Sequence, residues 1–275
     1  MAIIQQLPAF QNQNVVATGV ATLLVPKWNN TLTRIVMDLG GTTFTKAMIT
    51  DIKVKIGVRT VYNCTGTVLD TINQYKGIYN SANQLTIDFT ERDAPSIEGK
   101  EIGGYDMSAL PDQIKVEVTI TGATAPTLAA NAFLTAPQGQ AGALVHKLLY
   151  FPSSTTVAGK YPVNFNPMGA LIKRIHHFYA GATWAGNADG NINRVEVKKN
   201  GITVVDMTDH VRRFVQNEYR KVPQAGHYVT DFIVDNNQSS MLVTKDAASF
   251  ECNTYLTAGD TISTYVEMLD LPYNA

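Results

Sequence analysis

Leu32-Thr33-Arg34-Ile35, followed by Gly41-Thr42-Thr43-Phe44, returns as Ile172-Lys173-Arg174-Ile175, followed by Gly181-Ala182-Thr183-Trp184, with identical internal spacing and an offset of 140 (Leu32 to Ile172). Self-similarity at this distance sets architecture before any short motif does. Working outward, Ile52-Lys53-Val54-Lys55, a turn at Gly57 and a strand ending at Val61 return as Val195-Glu196-Val197-Lys198, Gly201 and a strand ending at Val205. The offset grows to 143 or 144, as an extra Gly/Asn-rich loop around Gly186 to Gly190 requires.

Each half then offers one short helix. Thr208 is placed to cap Asp209 to Tyr219, with Val211, Phe214, Val215 and Tyr219 on one face; Thr67 is placed to cap a run carrying Val68, Leu69, Ile72 and Tyr75. Both helices end in an aromatic and a base, Tyr75-Lys76 and Tyr219-Arg220. A strand with the same Asp-Phe core follows, Ile87-Asp88-Phe89 against Thr230-Asp231-Phe232. The alternating strand Ile114 to Ile120 is matched with Ile262 to Met268 as the close of each half.

Short alternating apolar runs with turn residues between them make this an all-β inventory of sandwich type rather than a parallel sheet. The expected division is an N-terminal arm at 1–14, a first sandwich at 15–124, a linker at 125–160 and a second sandwich at 161–275. The linker reading rests on composition: no Asp, Glu, Lys or Arg occurs from Val118 to His146, and Ala, Gly, Thr and Pro dominate.

A length of 275 residues accommodates two such domains. The formal charge of −1 provides no field that would hold nucleic acid, so sequence-specific genome binding is not expected. Charged residues are 16% of the chain, below the roughly one quarter of an average domain, as suits a surface largely covered by neighbours. Cys64 and Cys252 lack the spacing of a disulfide framework or zinc site and read as two reduced thiols. Gln5, Gln6, Pro8 and the Gln/Asn run to Asn14 interrupt any leader or membrane span, so synthesis in a host cytoplasm is expected.

Strands broken by one short helix, with turns such as Lys199-Asn200-Gly201 that suit a primed hairpin, are compatible with an eight-stranded jelly roll. The Gly-turn hairpin, the Thr-Asp capped helix and the following Tyr228 to Phe232 strand resemble the major coat protein of membrane-containing tailless bacteriophages of the corticovirus type. The likeness is clearest from Gly169 to Leu269. It implies a double jelly roll, three chains per pseudo-hexagonal capsomer, contacts with neighbouring capsomers, a separate vertex protein and an internal viral membrane. It also implies a place in the virion and no enzymatic activity, with Met1 to Asn14 as an inner arm.

Other chemistry is weighed against that reading. Asp38-Leu39-Gly40-Gly41-Thr42 looks like the first phosphate loop of sugar kinases, but the later segments of that fold are missing and the turn recurs as Phe178 to Ala182 without phosphate chemistry. A twin jelly roll binding carbohydrate or a receptor would need aromatic platforms at equivalent loops, where Phe44 matches Trp184. Asp88, Glu91 and Asp93, or Asp206 and Asp209, are the carboxylates available for a structural calcium; a solvated loop is the commoner setting for such groups. His176 and His177 are adjacent in a strand and point to opposite faces, so they do not share a metal. Arg212, Arg213, Arg220 and Lys221 read as a solvated basic helix face. No catalytic, cofactor-binding or metal residue is assigned.

Overall fold

The computed structural model describes residues 3–8, 15–139 and 144–274. The first half contains β1 (Ile3–Gln6), β2 (Gly19–Leu24), β3 (Thr31–Gly40), β4 (Ile49–Ile56), β5 (Arg59–Cys64), helix α1 (Gly66–Tyr75), β6 (Gln84–Asp88), β7 (Tyr105–Asp106), β8 (Ile114–Ile120) and β9 (Thr127–Thr135). The second contains β10 (Val145–Thr155), β11 (Gly159–Val163), β12 (Leu171–Tyr179), β13 (Ile192–Lys199), β14 (Ile202–Thr208), helix α2 (Asp209–Glu218), β15 (His227–Asp231), β16 (Leu242–Val243), β17 (Phe250–Leu256) and β18 (Asp260–Asp270).

The chain divides into two compact units, 1–74 with 78–149 and 270–275, and 75–77 with 150–269. In the first, one sheet runs β1-β9-β3-β6 with β7 added beside β3, and the other runs β2-β8-β4-β5. In the second, the orders are β10-β18-β12-β15 with β16 beside β12, and β11-β17-β13-β14. Every pairing in the first unit recurs nine strands later. Each unit is thus a jelly roll of eight strands with one two-residue strand added, β7 or β16, and its helix is placed between the fifth and sixth strands.

The repetition extends to backbone irregularities. Register shifts between Leu32 and Arg34, Ile49 and Asp51, and Val54 and Lys55 recur between Ile172 and Arg174, Ile192 and Arg194, and Val197 and Lys198. A bulge inserts a residue and turns the side chains beyond it, so each shift re-aims the strand that follows. The Asp-Phe strands match in the same detail: Asp88 accepts the Thr90 amide, Asp231 accepts the Ile233 amide, and the Phe89 and Phe232 amides donate to Thr33 and Lys173 carbonyls. Asn200 and Gly201 both have positive φ, 52° and 75°, as the expected primed hairpin demands.

Four expectations are corrected. The 125–160 stretch is not a linker: it holds β9, β10 and the start of β11. Uncharged Ala, Thr and Leu suit β9, because Ala130, Ala132 and Leu134 are buried in the close-packed sandwich core. Within 1–14, Ile3–Gln6 pairs with Asn131 to Leu134 and begins the first sandwich; 1–2 and 9–14 lie outside the described residues. Accordingly β8 corresponds to β17, and β18 to β9, so matching Ile114–Ile120 with Ile262–Met268 was one strand out of step. The cap of α1 is Thr65, whose hydroxyl accepts the Val68 amide, rather than Thr67.

The first core is Ile35, Met37, Ala132 and Leu134 from one sheet against Ile52, Val54, Val116 and Val118 from the other, all fully buried. The second places Ile175 and Val266 opposite Val195 and Val197. Enlarging Ala132, which sits opposite Ile35 and is 0% exposed, tests the packing in β9. Ala132→Leu should destabilise the protein by about 1–3 kcal/mol in urea titration, whereas a loosely attached linker would tolerate it.

Candidate functional site: buried charges and an inverted helix

The second unit carries a cluster of ionised groups on one sheet. Arg174, in the middle strand β12, lies directly opposite Asp231 of β15 and Glu267 of β18. Its Nε donates to Asp231 Oδ2 at 2.9 Å and its Nη1 to Glu267 Oε2 at 2.8 Å. The bulge beside Lys173 is what aims Arg174 at both. Tyr75 and Lys76 belong to this unit and complete the cluster: the Tyr75 hydroxyl donates to Asp231 Oδ2 at 2.8 Å, and Lys76 Nζ reaches Glu267 Oε1 at 2.6 Å. Two cations thus balance two carboxylates with almost no access to water.

Histidines extend the cluster. His176 Nδ1 and His227 Nε2 are 3.0 Å apart, with the Phe178 ring stacked on His227 at 4.2 Å. His176 also lies 3.7 Å from Glu267. His177 points the other way, to Thr264 at 2.9 Å and Cys252 at 3.7 Å inside the sandwich, so the two neighbours do occupy opposite faces. Burial opposes the charge of Glu267, but Lys76 and Arg174 outweigh it and hold the carboxyl well below its usual range. Burial opposes the charged form of all three histidines, taking His177 down to about 3 and His227 well below its ordinary value, with Arg212 adding repulsion for both, while Glu267 partly offsets it at His176. It also pushes the Cys252 thiol up to about 12 and that of Cys64 well upward; both cysteines are free.

Helix α2 reverses the expected orientation. Asp209, Arg212, Arg213 and Gln216 are its buried residues, while Val211, Phe214 and Tyr219 face outward, Phe214 at 64% exposure. Of the four basic residues expected on a solvated face, Arg220 is exposed, but Arg212, Arg213 and Lys221 are buried. Arg212 pairs with Asp209 and Gln216 and stacks over Tyr228 at 4.2 Å. Arg213 bonds Asp209 and the carbonyls of Gly186 and Ala188, and stacks over Trp184 at 4.3 Å. Lys221 is buried with its Nζ on Asn236. The helical period of apolar residues was real, but it marks the surface left outside. The Gly186 to Gly190 insertion brings two carbonyls to the buried Arg213 guanidinium, whereas Arg212 relies on Asp209 and Gln216 of its own helix.

The other candidate residues are placed as follows. Asp38 accepts from Gln84 and Asn131 side chains on flanking strands, and Gly41, at φ 108°, turns the end of β3 where a Cβ would meet the Ala125 carbonyl. No α-helix opens at that turn, and both Asp38 carboxylate oxygens are engaged by the flanking strands. Asp206 forms a two-pronged pair with Arg194, Asp209 belongs to Arg212 and Arg213, and Asp93 lies beside Arg92. Among the described residues no three His, Cys, Asp or Glu side chains are grouped to hold a metal. Phe44 is buried and Trp184 carries Arg213, so the equivalent aromatics do not form open platforms. No described helix is long and apolar enough to cross a membrane.

Two jelly rolls of identical strand order in one chain define a double jelly-roll protein. Residues 4–135 match the model of the viral coat protein P2 N-terminal domain and residues 145–272 that of its C-terminal domain, so the chain belongs to the viral coat protein P2 family and is a capsid protein of the virion. Its structure is similar to the major capsid protein P2 from bacteriophage PM2 (TM-score 0.84, 16% identity, covering 98% of each chain). It also resembles a chain of Sulfolobus turreted icosahedral virus (0.71, 14%, 99% of this chain and 91% of that one) and the PBCV-1 virus capsid (0.65, 12%, 100% and 97%). These likenesses establish the fold. No curated protein matches the sequence.

Two outcomes follow for the buried cluster. Arg174→Met leaves Asp231 and Glu267 short of a counter-charge and should cost about 3–5 kcal/mol in urea titration, and Arg174→Lys, unable to reach both carboxylates, should not restore stability. On acidification, the unfolded chain takes up protons on these histidines near pH 6.5 while the folded one resists. Stability is therefore full above about 6.5 and falls as pH drops toward the folded values, about 3 for His177. Urea midpoints measured between pH 8 and 4 should decline from about 6.5 downward, and His177→Asn should flatten that decline.

Proposed function

We propose that three copies of this chain form a pseudo-hexagonal capsomer, its six jelly rolls filling a six-coordinated position of an icosahedral shell. The observation that carries this reading is the exact recurrence of strand pairings and bulges between the two units. Two near-identical domains per chain let a three-fold assembly present six similar edges, the economy that closed symmetric oligomers favour. Neighbouring capsomers then meet through like surfaces. A five-fold vertex cannot be filled by three pairs, which supports a separate vertex protein there.

The chain is made in the host cytoplasm and acts by packing, with no catalytic step. The formal charge of −1 supports contact with protein and an internal viral membrane rather than with the genome. Exposed apolar side chains on α2 and β14, including Phe214 and Ile202, support extensive contact with neighbours.

Sedimentation equilibrium of the purified chain should give the mass of three 30.0 kDa chains, with hexagonal outlines in negative stain. A stable 30.0 kDa monomer across the micromolar range would reject the assembly.

A further inference from the structure

The two units differ at one equivalent place, and the difference names a contact. Helices α1 and α2 superpose in sequence with an offset of 143: Asn73 donates to the Thr86 carbonyl as Gln216 does to Val229, and the Ile78 amide donates to Asn73 as the Lys221 amide does to Gln216. Gly77 and Arg220 close the helices with φ 72° and 59°. Structurally, then, Tyr75 corresponds to Glu218 and Lys76 to Tyr219, one residue away from the match of Tyr75-Lys76 with Tyr219-Arg220 drawn from sequence.

Tyr75 and Lys76 are buried on the Arg174 face. Glu218 and Tyr219 are exposed, Tyr219 at 48%. The face that corresponds to Arg174, Asp231 and Glu267 is Arg34, Asp88 and Phe133, since Arg34 stands opposite Asp88 and Phe133 just as Arg174 stands opposite Asp231 and Glu267. Arg34 stacks on Phe133 at 3.8 Å, and both are only partly covered, as is neighbouring Val36; Ile4, paired with Phe133, is 61% exposed. One unit thus has a covered face, and the other has the same face open.

We infer that Glu218 and Tyr219 at the end of α2 dock on the Arg34–Phe133 face of the next copy of this chain, repeating between molecules the contact that Tyr75 and Lys76 make within the second unit. The substitutions are matched on both sides. Where Lys76 meets Glu267, the equivalents are Tyr219 and Phe133, an ion pair exchanged for an aromatic pair. Where Tyr75 lies beside Arg174 and Asp231, its equivalent Glu218 brings a carboxylate to Arg34. The Tyr219–Phe133 exchange replaces both partners of the Lys76–Glu267 pair together, whereas changing one side alone would leave Tyr219 against a buried carboxylate; at the other position Glu218 gains Arg34, which also neutralises Asp88 beside it.

This inference rests on the trimer proposed above, and the test separates the two. Phe133→Glu and Tyr219→Lys would transplant the Lys76–Glu267 pair into the open face. Each single variant should raise the trimer dissociation constant by at least about tenfold in sedimentation equilibrium, and the double variant should return it to within about threefold of the parent. Singles that assemble like the parent, or a double no better than the worse single, would overturn the inference while leaving the trimer intact; a monomeric parent would remove both. Should Phe133→Glu fail to fold, Tyr219→Cys with Phe133→Cys and a short bismaleimide cross-linker gives the independent measurement. Cys64 and Cys252 are buried, so a covalent ladder of two and three chains supports the contact, and its absence in a trimeric sample rejects it.

Discussion

Arg174 is the side chain on which the second jelly roll turns. It sits in the middle of three hydrogen-bonded strands with a carboxylate on either side, and each of those carboxylates also holds a residue from 75–77. Ions removed from water in this way stabilise a fold only when every partner is in place, so their main effect is to forbid alternatives. A slip of β12 by one residue would send Arg174 into the apolar interior and take the guanidinium away from both Asp231 and Glu267. The bulge at Lys173 and the ion cluster are therefore one device: the first aims the guanidinium and the second penalises any other register.

The corresponding device in the first unit is milder. Arg34 keeps its bulge and its aspartate, but an aromatic ring replaces the second carboxylate, and burial lowers the guanidinium's proton affinity against the raising effect of Asp88. A planar guanidinium over a ring tolerates partial solvation better than a paired ion does. The two faces are thus fitted to different degrees of covering, although their backbones are alike.

Much of this was legible in the sequence because strands with large branched residues and glycine turns leave a periodic trace. The Leu32 and Ile172 segments, the two hairpins and the Asp-Phe strands were found that way. Strand β9 left no such trace, since Ala129, Ala130 and Ala132 are too small to register as a hydrophobic run, and their value lies in what packs over them. The face of α2 is hidden for the opposite reason: Val211, Phe214 and Tyr219 recur at helical spacing and suggest an apolar buried side, whereas the side that is buried carries Asp209, Arg212 and Arg213. Asp209, one turn earlier, pairs with both guanidiniums, and the carbonyls of Gly186 and Ala188, more than 20 residues away, complete the surroundings of Arg213. The histidine pair is legible as residues but not as a pair, because His176 and His227 meet across strands 51 positions apart.

The pairing of β1 with β9 has a bearing on the order in which the molecule takes shape. Residues Ile3–Gln6 are made before Asn131 to Leu134 and have no ladder to join until those follow them. Until then the early segment must wait unpaired, and closure across so long a stretch of chain is slow. At ordinary translation speeds that interval amounts to several seconds or more, long enough for the middle strands to collapse around their own core first. Because β9 is the last strand of its sandwich in chain order, β1 can be seated only once the whole of that sandwich has been made.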